Sequence, residues 1–310
     1  MPLSEFRHNQ RLMGSAFELV IVSNCKVRAQ KMLSDGIEEI QRIESLLSEF
    51  RDGSVTAVLN KNAGKRSIEV PPEVYQLIRR CLQLSALTQG AFDITVKPLK
   101  SLYDFKRKSF SMPEPRTLKD TLEVTGYHLV KPGKNNRVYL SRPGMEISFA
   151  SIGKGYAADR VRRRWLDQGV ERGVINASGD LSVIGRKIDG SPWKIGIADP
   201  EDPSKTLLYI PLKKGSVATS GNYEQYFMHD GRRHAHTIDP KTGIPVTGIK
   251  SVTVSGPNAE LCDALATSLT VMGVEAGLYL IDQLPDTHCL IIDDQNKLHS
   301  SKNIIFEKAN

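Results

Sequence analysis

The chain has 310 residues, of which 40% are apolar and 25% are charged, which is ordinary for a globular protein. Its net charge of +7 favours an anionic small ligand, but the basic residues are dispersed, which argues against a nucleic-acid partner. No apolar run approaches the length of a membrane span, and the 4 cysteines form no CxxC pair, which disfavours a disulfide framework or a zinc site.

Helices and strands are both predicted in the first half of the chain. Residues 17–22 predict a strand, and residues 27–50 predict a long helix because apolar side chains recur at the helical period. A turn at residues 51–54 follows, and a second helix is expected from Pro71-Pro72 to about Gly90. Residues 106–115 predict a surface loop, and short strands are expected at residues 127–130, 138–140 and 145–149.

The second half continues as an irregular mixture. A helix is expected over residues 156–167, and strands over 173–184, 193–197, 207–212 and 251–255. Helices at 259–272 and 276–284 precede a last strand at 290–292. No repeat of fixed length and no linker divides the chain. The sequence therefore predicts an α+β fold rather than a doubly wound parallel sheet, in a single domain over residues 1–310.

Residues 147–159, ISFASIGKGYAAD, form the most informative motif, predicted as a strand, a Gly-Lys-Gly turn and a helix. N–H groups at a helix start attract anions, glycines permit close approach of a ligand, and Lys154 adds a positive charge. The motif therefore favours a nucleotide phosphate, although it is neither a Walker A loop nor a complete GxGxxG fingerprint. A tight turn with an exposed lysine explains the same residues equally well.

Asp263 and Thr267 stand four residues apart in a predicted apolar helix, so that both side chains lie on one face. A carboxylate and a hydroxyl are hard oxygen donors that suit Mg²⁺ better than zinc. Two structural alternatives stay open: a helix N-terminal role for the aspartate, favoured by the helix dipole, and a hydrogen bond from the threonine hydroxyl to a carbonyl of the preceding turn.

His234 and His236 precede a Pro/Gly turn and are expected on the same side of a strand, where either could act as a general base. A surface histidine pair beside a turn closed by Asp239 is the alternative. Ser178-Gly-Asp180 and residues 216–223 each place small residues at a strand end, where backbone could approach a ligand. No GxSxG or HExxH motif supports a serine hydrolase or a zinc protease.

Taken in order, these motifs resemble the ApbE family, the FAD:protein FMN transferases. The segments that carry the resemblance are LMGS at 12–15, GAFDITV at 90–96, IGKGYAAD at 152–159, INASGD at 175–180, VATSG at 217–221, HTIDP at 236–240, DALAT at 263–267 and VMG at 271–273. They cover nearly the whole chain. The resemblance implies an ApbE-like α+β fold in which a flavin cleft separates two closely associated subdomains.

The resemblance also implies an activity. Family members bind FAD, require Mg²⁺, and attach FMN through a phosphoester to a threonine or serine hydroxyl of a target protein, with release of AMP. The expected partners are FAD and an acceptor protein, such as a flavin-carrying subunit of a membrane redox complex, and no nucleic acid. Members usually act on the outer face of the cytoplasmic membrane. The chain is expected there as a mature form without its signal, or in the cytoplasm if it is the full gene product.

By family position, the resemblance assigns site residues. His236 is the candidate base, and Asp263 is placed with it in the catalytic set. The expected metal ligands are Ser151 (through its carbonyl), Asp263 and Thr267. The expected flavin-site residues are Met13, Phe50, Ala91, Phe92, Asp93, Ser148, Lys154 and Ile238.

Two departures from the family pattern stand out. Members often carry aspartate at the position of Ser148 and tyrosine at that of Phe50, so one cofactor contact differs and one hydroxyl is missing. Two rival functions share the same residues. One is an Mg²⁺-dependent pyrophosphatase that cleaves FAD to FMN and AMP with water, and the other is a noncatalytic flavin-binding protein. The metal-and-base set speaks against the second, because mere binding does not require it.

Overall fold

The structure is a computed structural model that describes residues 2–105, 112–222, 225–229 and 231–309, apart from the side chain of Arg232. Residues 106–111 of the predicted surface loop and Tyr223 of the predicted 216–223 turn lie outside the described residues. Within the described ranges, none of the helices combines the length and the apolar character needed to cross a bilayer.

Among the described residues, strands are more numerous than helices. They are β1 (Ser4–Leu12), β2 (Ser15–Ser23), β3 (Ile68–Glu69), β4 (Val130–Pro132), β5 (Arg137–Leu140), β6 (Gly173–Ala177), β7 (Asp180–Ile184), β8 (Trp193–Ala198), β9 (Thr206–Leu212), β10 (Gly215–Gly221), β11 (Tyr226–His229), β12 (Arg232–Ala235), β13 (Ile249–Gly256), β14 (His288–Asp293), β15 (Leu298–Ser300) and β16 (Glu307–Lys308). Eight of them form one antiparallel sheet in the order β1-β2-β6-β7-β10-β13-β14-β15. Smaller sheets are β16-β9-β8, β3-β5-β4 and the hairpin β11-β12.

The helices are α1 (Lys26–Leu47), α2 (Val55–Lys61), α3 (Pro72–Leu87), α4 (Lys97–Lys100), α5 (Pro115–Glu123), α6 (Gly153–Asp167), α7 (Ala259–Met272) and α8 (Val274–Ile281), with a short 3₁₀ helix at Tyr127–Leu129. Helices α1, α6, α7 and α8 pack on one face of the large sheet. In α1, the side chains of Leu33, Ile37 and Ile40 recur at the helical period and are buried. Helix α7 begins at Asn258, whose side chain accepts a hydrogen bond from the N–H of Leu261.

Strand β2 shows how the sheet is buried on both faces. Leu19 and Ile21 pack into the large core under α1 and α6, whereas Val20 and Val22 pack against the small sheet of β8 and β9. The strand therefore has apolar residues at successive positions rather than an alternating pattern. The opposite sides of the molecule are a helical layer and a three-stranded layer, with the large sheet between them.

Most predicted elements are present, with boundaries that differ by a few residues. The helix expected at residues 259–272 coincides with α7, and those expected at 27–50 and 276–284 correspond to α1 and α8. The span 173–184 is a hairpin of β6 and β7 rather than one strand, because Ser178 and Gly179 adopt positive φ and reverse the chain. Residues 127–130 begin as a 3₁₀ helix, with only Val130 in β4.

Three predictions about local structure are wrong. Residues 145–149 are not a strand: backbone bonding there reaches single partners such as Ile94, whose carbonyl accepts from Ser148 N–H at 2.8 Å, and no ladder forms. The Gly-Lys-Gly residues are not a turn before a helix, because α6 begins at Gly153 itself. Residues 216–221 do not end a strand but form β10, paired with β7 and β13.

Candidate functional site

A cleft of about 500 Å³ opens at the end of the sheet where the β6–β7 hairpin and the end of β10 meet the starts of α6 and α7. The predicted site residues in its lining are Phe50, Ala91, Asp93, Ser148, Ser151, Lys154, His236, Ile238, Asp263 and Thr267. Residues that are far apart in sequence therefore meet in one place.

Met13 and Phe92 do not line this cleft. Met13 lies in the β1–β2 turn at φ 49°, and its side chain packs beside Gly153 at the start of α6. Phe92 is 1% exposed in the main core, and its N–H donates to the Thr88 hydroxyl at 3.1 Å. A ligand in the cleft could meet only the backbone of Phe92, because its ring is enclosed by the core.

The start of α6 is shaped by contact with α7. A Cβ on Gly155 would lie 2.4 Å from the carbonyl oxygen of Ala259, so that only glycine permits the observed approach of the two helices. A Cβ on Gly153 would meet its neighbours at 3.5 Å or more, which is ordinary contact. The second glycine of the motif thus serves helix packing, which the phosphate-loop interpretation did not anticipate.

This close approach gives one N–H group of α6 a partner. Gly155 is the third residue of α6, where an N–H group has no acceptor inside the helix, and it donates to Asp263 Oδ2 at 3.3 Å. Among the described residues, none of the backbone hydrogen bonds reaches the Ser151 carbonyl. The carbonyl that the family resemblance assigns to a metal is therefore available beside the Asp263 carboxylate.

The hydroxyl of Thr267 differs from its neighbours on α7. Ser268 and Thr270 donate to carbonyls four residues back, at 2.6 and 2.9 Å, whereas within the described part of the chain Thr267 makes no such bond. The back-bonding alternative is thus not observed for Thr267, whose half-buried side chain lines the cleft.

Two carboxylates and one ammonium group determine the charge at the centre of the cleft. Burial raises the pKa of Asp263 well above its ordinary value, and the nearby charge of Asp180 raises it further. The Lys154 charge and the Gly155 N–H act in the opposite direction. Lys154 Nζ lies 3.2 Å from Asp180 Oδ2. The site therefore favours additional positive charge.

Asp159, on α6, connects that helix to the start of α7. Its carboxylate accepts hydrogen bonds from the N–H groups of Ala259 at 3.0 Å and Glu260 at 2.8 Å, and from the Ser182 hydroxyl at 3.2 Å. It thereby caps α7 in place of the role considered for Asp263. Asp263 lies one turn further along α7 and takes its own N–H contact from α6.

His236 follows β12 and lines the cleft, whereas His234 stacks on Phe227 with ring centroids 5.1 Å apart. His236 Nδ1 lies 3.3 Å from the carbonyl oxygen of Gln225, a contact that favours the proton on Nδ1 and leaves Nε2 as the basic nitrogen. Burial and then the charge of Lys100 lower the pKa of His236 to about 4, so its ring is neutral near pH 7. Of the two predicted histidines, the structure places His236 in the site.

Phe50 forms the aromatic wall of the cleft. Its side chain is 87% exposed just beyond the end of α1, and Lys97 Nζ lies 5.9 Å from the ring centroid. Lys97 also lies 2.7 Å from Glu146 and 3.8 Å from Glu49. An exposed ring without packing on one face suits stacking of a planar ligand.

The remaining predicted flavin-site residues have structural contacts of their own. Asp93 accepts from the N–H and hydroxyl of Thr95, at 2.8 and 2.6 Å, and from the N–H of Tyr127 at 2.6 Å. Its carboxylate is thus already bonded, although burial raises its pKa. Ser148 accepts from the N–H of Ala150 at 3.2 Å, and Ile238 is buried at the cleft wall.

The turn after Ile238 is rigidly bonded. Asp239 accepts from the N–H of Lys241 at 2.9 Å and from the hydroxyl of Thr242 at 3.0 Å. The N–H of Gly243 donates to the Asp239 carbonyl at 2.8 Å, and the Tyr103 hydroxyl donates to the Gly243 carbonyl at 2.7 Å. A turn closed by Asp239 was part of the alternative interpretation of this segment, and the structure shows that turn beside a histidine that lines the cleft.

Sequence analysis missed three groups in the site. Asp180 was noticed only as part of a Ser-Gly-Asp break, and its burial beside Asp263 depends on the β6–β7 hairpin. Lys100 was overlooked because no local pattern places it near His236, whose pKa its charge lowers. Thr219 lines the cleft at the end of β10, where its hydroxyl lies 2.9 Å from that of Thr253. Of the three, only Asp180 had a signal in the sequence, because an aspartate directly after Ser-Gly interrupts an otherwise apolar strand.

The donor set fits Mg²⁺. Within the described residues, no group of three His, Cys, Asp or Glu side chains is arranged as a metal centre, so a cation here would depend on mixed oxygen donors. The available donors are the Asp263 carboxylate, the Ser151 carbonyl and the Thr267 hydroxyl, all hard ligands. The raised pKa of Asp263 shows the electrostatic demand that a bound cation would satisfy.

Comparison with known proteins identifies the family of the chain. The sequence model of the ApbE family matches residues 13–291. The FAD:protein FMN transferase of Treponema pallidum (strain Nichols) is 30% identical over 94% of this chain and 87% of its own length. That of Vibrio cholerae serotype O1 (strain ATCC 39541) is 29% identical over 94% of this chain and 89% of its own length.

Solved structures show the same fold. The crystal structure of the ApbE protein from Thermotoga maritima is 33% identical, with a TM-score of 0.87 over 96% of this chain and 97% of that one. The structure of the flavin transferase ApbE from Vibrio cholerae is 25% identical, with a TM-score of 0.86 over 97% of this chain and 98% of that one. The predicted α+β fold and the predicted resemblance are thus confirmed. The chain belongs to the ApbE family, whose curated members named above are FAD:protein FMN transferases, and it is a transferase.

Proposed function

We propose that the protein transfers FMN from FAD to a threonine or serine hydroxyl of an acceptor protein, in an Mg²⁺-dependent reaction that forms a phosphoester and releases AMP. The observation that carries the proposal is the corner where Asp263, Ser151 and Thr267 present oxygen donors beside the buried carboxylate of Asp180. Such a corner suits a cation bound to a pyrophosphate, and the relatives' names supply the identity of FAD and of a protein acceptor.

Asp263, Thr267 and the Ser151 carbonyl would hold Mg²⁺. When bound, the ion would neutralise charge on the pyrophosphate and orient it for in-line attack. Lys154 remains close to the same corner through Asp180, where its ammonium group adds positive charge. At the other end of the cleft, the exposed ring of Phe50 offers a stacking surface for the isoalloxazine.

His236 would accept the proton of the attacking hydroxyl. The new bond joins the acceptor oxygen to the phosphorus of the FMN half, the P–O–P bridge breaks, and AMP leaves with the bridging oxygen. The proton passes to His236 Nε2, which is unprotonated near pH 7 because the pKa of this histidine is lowered to about 4. The negative charge of bound FAD would raise that pKa and so strengthen the base.

Hydrolysis of FAD by water is the main alternative, because the same donors would serve it. The test is incubation with FAD and MgCl₂, with and without the acceptor domain of a flavin-carrying membrane redox subunit from the same organism. AMP formed only with the acceptor, together with covalent flavin on it, is the expected result. Equal AMP release without acceptor would identify a pyrophosphatase, and no AMP in either case would contradict both enzymatic functions.

The cellular site of the reaction also stays a proposal. Acceptors of this kind belong to membrane redox complexes, so the outer face of the cytoplasmic membrane is the proposed location. Fractionation of cells, with detection of the chain by antibody in the periplasmic or membrane fraction, tests it. Recovery with cytoplasmic proteins alone would contradict it.

A further inference from the structure

A groove of about 580 Å³ lies next to the cleft, between the end of α3, the turn at residues 239–241, the end of α7 and helix α8. We call it the α8 groove. Its walls carry apolar side chains such as Leu87, Met272 and Tyr279, and the amides of Gln89 and Gln283. Apart from Ala91, the predicted flavin-site residues and the predicted metal ligands do not line this groove.

The α8 groove is continuous with the cleft in two ways. Ala91 lines both, and the turn faces both, with Ile238 and Pro240 toward the cleft and its alternate residues toward the groove. Along α7, Asp263 and Thr267 line the cleft, and residue 271, four positions further, lines the groove on the same helix face. A molecule that contacts residue 271 in the groove therefore lies about one helical turn from Thr267 and about two turns from Asp263.

A further depression, of about 470 Å³, adjoins the α8 groove. It lies between α3 and the start of α7, near the Arg80–Glu260 ion pair, and it shares Leu87 with the α8 groove. Three adjoining depressions suit an extended chain, which rises by about 3.3 Å per residue, better than a compact nucleoside. The walls supply apolar area, and amide side chains can bond to any peptide backbone.

The rim of the α8 groove exposes large side chains. Tyr279 is 73% exposed on α8, and Leu87 is 45% exposed at the end of α3. Exposed aromatic and aliphatic side chains that border a concave surface are typical of protein interaction sites, and tyrosine is enriched among residues that dominate binding energy.

We propose that the α8 groove binds the segment of the acceptor protein next to the hydroxyl that receives FMN. This inference rests on the proposed function, which requires a protein chain to reach the phosphorus beside Asp263. The continuity of groove and cleft along α7 provides that path, and the exposed Tyr279 would be the main contact.

The test compares Tyr279→Ala and Leu87→Ala with controls of equal exposure. Ile305 is 73% exposed and Leu166 is 45% exposed, and both lie outside the three depressions, so Ile305→Ala and Leu166→Ala are matched controls. Flavin transfer is measured against acceptor-domain concentration, and FAD binding is followed by quenching of flavin fluorescence. Thermal unfolding verifies that each variant is folded.

We expect Tyr279→Ala to raise the acceptor KM about tenfold and Leu87→Ala to raise it about threefold, with FAD affinity and both controls unchanged. Weaker FAD binding with an unchanged acceptor KM would assign the groove to the adenosine half of FAD and overturn the inference. Unchanged values for both substrates would also overturn it. If the unaltered protein transfers no flavin, the proposed function itself fails and the inference fails with it.

Discussion

Asp263 combines burial with the proximity of a second carboxylate, Asp180. Both effects oppose ionisation of Asp263, so its charge is costly unless a cation compensates it. A carboxylate kept for packing alone would gain from replacement by a neutral group of the same shape. The proposed role as a metal ligand accounts for a buried carboxylate at a position where packing alone does not favour one.

Replacement of Asp263 by asparagine should separate these two roles. We expect AMP release to fall by at least about a hundredfold, because a metal ligand is lost, while the metal-free protein melts at the same or a higher temperature. The rise in melting temperature that Mg²⁺ gives the unaltered protein should disappear. A variant that keeps its Mg²⁺-dependent shift would contradict the assignment of Asp263 as a ligand.

Thr267 and Thr270 form a matched pair on α7. Thr270 donates to the Ala266 carbonyl inside the helix, whereas Thr267 lines the cleft. We expect Thr267→Val to raise the Mg²⁺ concentration for half-maximal activity about tenfold or more, and Thr270→Val to leave it unchanged. Equal effects of the two substitutions would mean that the Thr267 hydroxyl acts only within the helix.

His236 leads to a prediction about pH. Since burial and the charge of Lys100 lower its pKa to about 4, the basic form persists well below the ordinary histidine range. The acidic limb of kcat/KM for FAD, which reports the free enzyme, is expected near pH 4. Lys100→Met should move the limb to higher pH, because a charge that lowers the pKa is removed. An acidic limb near pH 6.5 that does not shift in the Lys100→Met variant would exclude His236 as the base.

Single residues differ in how far the sequence predicted them. Asp263 and Thr267 were predictable because their helical spacing alone defines a shared face. The position of Asp180 was not predictable, because the β6–β7 hairpin that brings it near Asp263 is positioned by pairing with other strands of the sheet. The choice between His234 and His236 likewise required Phe227, whose ring holds the first histidine away from the cleft.

At the scale of elements, the contact between α6 and α7 brings the predicted metal ligands together. Gly155→Ala would force a Cβ to within 2.4 Å of the Ala259 carbonyl, so the helices must separate. We expect a loss of about 1–3 kcal/mol in the free energy of unfolding and weaker Mg²⁺ binding. Gly153→Ala is the control, because its Cβ meets only ordinary contacts at 3.5 and 3.6 Å. Equal stabilities in a urea titration would contradict the packing role of Gly155.

The motif around Gly155 shows what periodicity could not reveal. Sequence patterns placed a helix here correctly, but a Gly-Lys-Gly run reads as a turn when nothing indicates a second helix packed against it. The missed helix α2 and the false strand at residues 145–149 have a similar origin. Both stretches are short, and tertiary contacts, such as the bonds between Asn60 and the backbone of Ile147, decide their conformation.

At the scale of the whole molecule, a buried ionic network joins α1 to α3 and α6. Glu39 on α1 accepts hydrogen bonds from Arg42 at 2.9 Å and from Arg160 and Arg164 on α6 at 3.2 Å, while Arg42 also bonds to Glu73 on α3. The hydrogen bonds from Arg42 are the main cause that lowers the pKa of Glu39 to about 2. The network therefore contributes to stability only while Glu39 is ionised.

Acid should remove this contribution in a defined window. A carboxylate with a lowered pKa stabilises the fold above its unfolded value of about 4.5, and the effect is lost as pH falls toward 2. We expect Glu39→Gln to cost about 2–3 kcal/mol at pH 7 and little at pH 2, as measured by urea unfolding. Glu38→Gln, at an exposed neighbour, is the control and should cost nothing measurable.

The fold class was predictable from the mixture of helical and alternating patterns, but the sheet order was not. Strand β2 pairs with β6 through partners such as Val20 and Val174, which are separated by most of the first half of the chain. No local pattern encodes such pairing, which depends on the joint burial of both sheet faces. The family resemblance supplied what local patterns lacked.

The turn at residues 238–241 separates the cleft from the α8 groove, and its internal hydrogen bonds make it a stiff partition. A wall shared by two cavities ties their occupants thermodynamically. If an occupant of the cleft changes the affinity of the groove for its own occupant, the groove occupant must change the affinity of the cleft by the same factor. A measured influence of FAD on acceptor affinity would therefore give, without a second experiment, the influence of the acceptor on FAD.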